Sequence, residues 1–236
     1  MESFRRLSSM EKSCNRATVL LHQLINEQDW DSVNRLATKK YKRSLRTSDT
    51  IASDFIIHHA CRMNAPLLTI ARLSAIYPMN LNTADDEGRY PLHLAVASGC
   101  TPDVIRFFVG NNPSSAEVQD KFGKTPLHYA GECYAENFIR NRLGFPDFNE
   151  VHSNTFLVVE MLVAVAPQST NLEDEDEMNP IEYAVLSATN IKTIKMMQRV
   201  SKKEWRKQAQ ENEVQRRKQT ESIRRPVQST VAAKTA

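Results

Sequence analysis

The chain has 236 residues, of which 41% are hydrophobic and 25% charged, with a formal net charge of +3; this is ordinary for a soluble protein of one domain with tails. The longest apolar stretch, residues 156–166, is broken by Glu160 and falls far short of the ~20 residues a membrane span needs. The N-terminus has basic residues but no apolar run behind them, so neither membrane insertion nor a secretory signal is expected.

Cys14, Cys61, Cys100 and Cys133 lie far apart with no paired spacing, the pattern of reduced thiols in a cytoplasmic or nuclear protein. Six glycines are few, which favours helices joined by short turns. Charge is unevenly spread. Residues 201–236 hold ten Lys or Arg against four Glu, a net +6, and the first 200 residues carry a net −3.

Residues 1–16 are expected to be disordered. From Ala17, Leu20, Leu21, Leu24 and Ile25 fall on one stripe and predict an amphipathic helix. Asp29-Trp30-Asp31 makes a turn into a second short helix with Val33, Leu36 and Ala37. This pair over 17–40 has the shape of a terminal capping unit. Lys39, Lys40, Lys42, Arg43 and Arg46 follow in a polar connector.

Three segments then superpose: DFIIHHACRMN from Asp54, RYPLHLAVASG from Arg89 and KTPLHYAGECY from Lys124. They place His58, His93 and His128 in register at intervals of 35 residues. Pro78, Pro113 and Pro167 end successive second helices, and each is followed 13 residues later by Pro91, Pro126 and Pro180. Between them lie the turns Asp85 to Gly88, Asp120 to Gly123 and Asp174 to Glu177. Asp at the first position and Gly at the last suit a type I turn. Thr125 is placed to cap a helix with Pro126 at its first position.

The turn followed by YPLHLA (from Tyr90) and TPLHYA (from Thr125) resembles the ankyrin repeat, whose signature is T-P-L-H-x-A at a period of ~33. The resemblance covers about residues 17–200. It weakens near Asp54, which lacks Thr-Pro, and in the last unit, where Glu182 stands in the His place and Glu177 in the Gly place. It implies an all-α solenoid of helix–turn–helix repeats with short β-turn or hairpin tips. The repeats are expected at about 54–84, 85–119, 120–173 and 174–200. The resemblance also implies that the histidines are structural, hydrogen-bonding across repeats.

His128 to Glu182 is 54 residues rather than 35, so 19 extra residues enter the third full repeat, at roughly 133–155. They include Phe138, Phe145 and Phe148, and a loop of this length in a compact array is usually functional or disordered. After Met197, Ser201-Lys-Lys-Glu204 reads as a capping box, with Val200 and Trp205 as its staple. A solvated basic helix is expected from there, ending before Pro226, with a disordered end beyond it.

No catalytic motif is present: no G-x-S-x-G, no glycine-rich phosphate loop and no HExxH. No cofactor and no metal are expected, since Cys133, His128 and His152 lack any recognised ligand spacing. The family resemblance implies a partner protein, of unknown identity, on the concave face formed by the tips and first helices. By register the tip positions are Asp86, Glu87 and Arg89, then Lys121, Phe122 and Lys124, then Glu175, Asp176 and Met178. On the first helices Ala97, Ser98, Glu132 and Cys133 are expected to face outward. Phe138, Phe145 and Phe148 of the insertion complete the candidate binding residues. Residues 173–177 are five consecutive acids, read as a solvated turn or a surface that steers a basic partner or this chain's own tail. Lys202, Lys203, Arg216, Arg217 and Lys218 resemble a bipartite nuclear-import signal, and Arg5-Arg6-Leu7-Ser8 a basic-directed kinase site. The principal reading is a monomeric, non-enzymatic scaffold that does not bind nucleic acid. A nuclear regulatory or nucleic-acid role through the tail is the alternative, and a metal-dependent enzyme using the insertion is a second.

Overall fold

The computed structural model describes residues 18–38, 55–141 and 147–232, with side chains described as far as Thr220. Among these residues the fold is all-α. The calls on residues 1–17, 39–54, 142–146 and 233–236, including Phe145, Cys14, the Arg5–Ser8 motif and the basic connector, lie outside the described residues.

Helix α1 (18–26) and α2 (Trp30–Leu36) form the first pair. Asp29 caps α2 by accepting a hydrogen bond from Ser32 N at 3.0 Å, which satisfies one of the donors a helix start leaves free. Three helix pairs follow: α3 (Ile56–Arg62) with α4 (Leu67–Ile76), α5 (Pro91–Ala97) with α6 (Pro102–Asn111), and α7 (Pro126–Glu132) with a second helix delayed by the insertion. The insertion supplies α8 (Tyr134–Arg140), and it lengthens the delayed second helix, α9 (Phe148–Val165), to 18 residues. The last pair is α10 (Pro180–Leu186) and α11 (Ile191–Ala232).

The helices stack in two layers. First helices pack in the order α3, α5, α7, α10, and second helices in the order α2, α4, α6, α9, α11. The reason lies in the repeated apolar positions: Leu92, Ala95, Leu127, Ala130 and Ala184 are buried between neighbouring first helices, and Ile70, Ile105, Leu162 and Met197 line the second layer. Each buried Leu or Ile contributes roughly 1.5–3 kcal/mol. No single pair could bury both its faces, so the stack is the stable unit. The prolines at 78, 113 and 167 each open a short 3-10 turn after a second helix, and Pro91, Pro126 and Pro180 each start a first helix.

The C-terminal helix differs from expectation. No helix starts at Ser201; α11 begins at Ile191 and runs on for 42 residues. Neither Gly nor Pro interrupts residues 191–225, and the capping-box residues are drawn into tertiary contacts instead. Ser201 Oγ donates to Asn171 Oδ1 at 2.5 Å, and Glu204 is buried against the array. Trp205 is 62% exposed, so it does not staple to Val200. The helix also passes Pro226 to reach Ala232, since a proline removes one i→i−4 bond and leaves the following turns able to form. From Trp205 to Thr220 every residue is exposed.

Candidate functional site

The three tips share one wiring. Asp85, Asp120 and Asp174 each use Oδ1 to accept from the backbone N–H groups two and four residues on, at 2.9–3.1 Å. Gly88, Gly123 and Glu177 close the turns with φ of 78°, 75° and 59°. Adjacent tips are tied by Lys121 N to Glu87 O (2.9 Å) and Glu175 N to Phe122 O (3.0 Å). A Cβ on Gly123 would stand 2.8 Å from Asp174 Cα, so that close approach requires glycine. Glu177 tolerates the same left-handed region at the exposed last tip, where no further repeat packs. Asp120 and Asp174 use Oδ2 to accept from Tyr129 and Tyr183 hydroxyls at 2.7 Å. Asp85, whose repeat has Leu94 in that place, takes Arg62 and Arg89 instead at 2.9 and 3.0 Å.

These bonds set the ionisation of the tip carboxyls. Burial alone would raise Asp174, but hydrogen bonds from Tyr183 and from the Met178 and Asp176 N–H groups outweigh it and hold the group below the usual carboxylate value. Asp85 is likewise held low, its burial offset by the Arg89 side chain and backbone.

The wiring separates the tip residues named from sequence. Asp86, Lys121, Phe122, Glu175 and Asp176 are exposed, Phe122 at 48%; Met178 is half-buried. Arg89 and Glu87 are paired at 2.5 Å, and Lys124 pairs with Glu132 at 2.8 Å while its Nζ sits 4.5 Å above the Tyr183 ring. Lys124, Glu132, Glu87 and Arg89 are therefore bound into the array rather than presented to a partner.

The insertion brings two corrections. Phe138 is 2% exposed and stacks on Tyr134 with ring centroids 5.7 Å apart; it is a core residue, because α8 lies on α5 and α7. The C-terminal end of α5 is covered too. Asn137 Nδ2 donates to Ala97 O at 2.8 Å, Asn141 Nδ2 to Ser98 O at 2.5 Å and Tyr134 OH to Cys100 O at 3.1 Å. Four carbonyls at any helix end lack an internal partner, and α8 supplies donors to those of α5. Ala97 and Ser98 are thus not an open binding face.

Phe148, by contrast, is 68% exposed at the start of α9. The extra turns of α9 stand beside the loop 187–190 and the first turn of α11, leaving a cleft of about 540 Å³. Its walls are Phe156 and Leu157 on one side and Lys192 and Thr193 on the other. A smaller recess of about 260 Å³ shares His152 and Asn190 with it and reaches Ile139 and Phe148. The sequence reading missed this site apart from Phe148. Phe148 stood in the insertion and Phe156 and Leu157 at the start of the longest apolar stretch, and only the neighbouring α11 turns them into a cleft.

The repeat histidines are buried and structural. His93 Nδ1 accepts from Tyr90 N at 3.1 Å, which leaves Nε2–H to donate to Val118 O at 3.0 Å at the end of the same repeat, so the bond closes a repeat rather than crossing to the next. His128 Nδ1 accepts from Thr125 N at 2.9 Å. Glu182, in the His place of the last repeat, makes the same bond from Asn179 N to Oε2 at 2.8 Å. Burial lowers His58 and His93 to about 4 and lowers His128 as well. His128, Cys133 and His152 do not come together: His128 is buried in α7, the Cys133 thiol donates to the Ala97 and Tyr129 carbonyls, and His152 is exposed on α9. Among the described residues no group of three metal-ligating side chains forms. Lys202, Lys203, Arg216, Arg217 and Lys218 are exposed on α11, Arg217 pairing with Glu213 at 2.5 Å.

Residues 73–130 match the family model for ankyrin repeats (many copies). Together with the stacked pairs, the Asp-led turns and the buried repeat histidines, this shows that the chain carries ankyrin repeats. The match marks a protein–protein interaction module. No curated protein matches the chain. Among the described residues no helix is long and apolar enough to cross a membrane.

Proposed function

We propose that this chain is a non-enzymatic interaction protein that captures a partner protein in the cleft between α9 and α11, with Phe122 and the exposed tip residues as an outlying contact. The supporting observation is the apolar surface left open around that cleft: Phe148 is 68% exposed, Leu157 38% and Ile191 60%. An exposed Phe forgoes roughly 2 kcal/mol of burial, which a partner covering it would supply, and buried aromatics commonly dominate interface energy. The stacked array is already ordered, so the partner meets a preformed surface and little ordering entropy is spent. The protein is read as a monomer of a reducing, cytoplasmic or nuclear compartment, in keeping with the free thiols of Cys61, Cys100 and Cys133.

The test is partner capture on immobilised protein, read by mass spectrometry, for wild type, Phe148→Asp with Leu157→Asp, and Phe122→Ala. The double variant should lose the captured protein while keeping its helicity, with only a small drop in melting temperature, because Phe148 lies mostly in solvent and Leu157 is 38% exposed. Phe122→Ala should weaken capture only partly. Full capture by the double variant would overturn the assignment.

A further inference from the structure

The floor of the α9–α11 cleft holds an unusual group. Thr193 is fully buried, and its hydroxyl has no hydrogen-bond partner, although buried polar groups are almost always satisfied. The hydroxyl lies in the first turn of α11, a helix of 42 residues whose N-terminal end carries partial positive charge. Asn190 caps that end by accepting from Lys192 N at 2.8 Å. The cleft lining includes Lys192 and His152 and no carboxylate.

Charge on the α11 side of the cleft has the same sign, while the α9 side and the adjoining recess carry Glu150 and Glu136. Lys192, Lys195, Arg199, Lys202, Lys203 and Arg206 are exposed and recur at helical spacing, so they share the outer face of α11. The one acid within that stretch, Glu204, is buried on the opposite side. Glu160 lies one turn beyond Phe156 on α9, which confines the attraction for acids to the α11 side. Phe156 and Leu157 give the other wall its apolar character.

We propose that the cleft takes an acidic peptide segment of the partner, with a carboxylate seated on Thr193 and Lys192 at the start of α11 and a neighbouring apolar side chain against Phe156 and Leu157. The rest of the acidic segment runs along the basic face of α11. This rests on the protein-binding reading above and names the chemistry of what is bound. A helix N-terminus, a hydroxyl donor and an ammonium together suit a carboxylate.

Fluorescence anisotropy on the full chain tests it with four labelled probes: a short peptide alternating Glu with Leu and Phe, its Gln counterpart, its Lys counterpart, and a duplex DNA oligonucleotide. The Glu peptide should bind, and Lys192→Glu, an exposed change that leaves folding intact, should weaken it about tenfold or more. Thr193→Val should weaken it about fivefold without lowering the melting temperature, since it removes a buried hydroxyl that has no partner. Met79→Ala, an exposed change outside the cleft lining, should leave peptide affinity unchanged. Equal binding of the Gln or Lys peptide, tighter binding of DNA, or an unchanged affinity for Lys192→Glu would each overturn the proposal. If partner protein is captured through Phe148 and Leu157 yet the Glu peptide neither binds nor competes, this inference falls and the protein-binding reading stands. If capture survives loss of Phe148 and Leu157, both fall.

Discussion

Acidification should unfold this array through its repeat histidines, before its carboxylates respond. His58 and His93 are fully buried, and burial lowers both to about 4 from an ordinary value near 6.5. Between those values the unfolded chain binds protons that the native chain refuses, so stability rises with pH through the window and is lost as pH falls from about 6.5 towards 4. The structural cause is explicit at His93: protonating Nδ1 would set a new N–H against the Tyr90 N–H that now donates to it at 3.1 Å. At pH 5 each of the two groups should cost roughly 2 kcal/mol relative to pH 7.5, about 4 kcal/mol together. His128 acts in the same direction, as does His59, whose Nδ1 lies 2.7 Å from that of His22. Asp85 and Asp174, held below the usual carboxylate value, stay ionised at pH 5 and do not contribute. Urea titration followed by circular dichroism at pH 7.5 and pH 5 measures the difference. The variant His93→Gln should be less stable at pH 7.5 but should lose roughly a third less than wild type on acidification, since His58, His59 and His93 are all lowered to about 4. An unchanged midpoint between the two pH values, or an undiminished pH dependence in the variant, would refute the reasoning.

Other substitutions separate architecture from recognition. Phe138→Ala should lower stability by about 3–5 kcal/mol, as a large buried aromatic does, and should reduce partner capture only in proportion to the fraction unfolded in the same buffer. Gly99→Ala should destabilise by roughly 2 kcal/mol or more, since Gly99 has φ of 67° and an added Cβ would meet Phe138 N at 2.3 Å; a melting temperature equal to wild type would contradict that packing. Tyr183→Phe leaves Asp174 Oδ2 without its 2.7 Å donor and should cost about 1–2 kcal/mol, with chemical-shift changes confined to the last tip if the hydroxyl does only what it is seen to do.

The fold was legible in the sequence because its markers are local. A turn needs its Asp and Gly, a helix start accepts Pro, and a period of 35 residues puts His58, His93 and His128 at equivalent places. Glu182 shows how far such a marker reaches: it replaces histidine yet makes the same bond to the N-cap N–H. What could not be read were consequences of distant packing. Lys124 and Glu132 looked free, whereas they pair with each other and the Tyr183 ring of the neighbouring first helix α10 receives the Lys124 ammonium. Phe138 looked like a surface aromatic because the insertion has no period of its own, whereas α8 places it beneath the end of α5. The capping box at Ser201 was a correct local pattern overridden by continuity from Ile191 and by the Asn171 contact. The cleft itself is formed by segments almost forty residues apart, Phe156 and Thr193, so no local motif announces it.

Amide hydrogen exchange on the chain with and without its captured partner addresses the central claim most directly. The account predicts that protection appears across residues 148–157 and 187–193, with a weaker effect at the tip around Phe122. Protection confined to the tips, with the α9–α11 cleft exchanging as in the free protein, would contradict it.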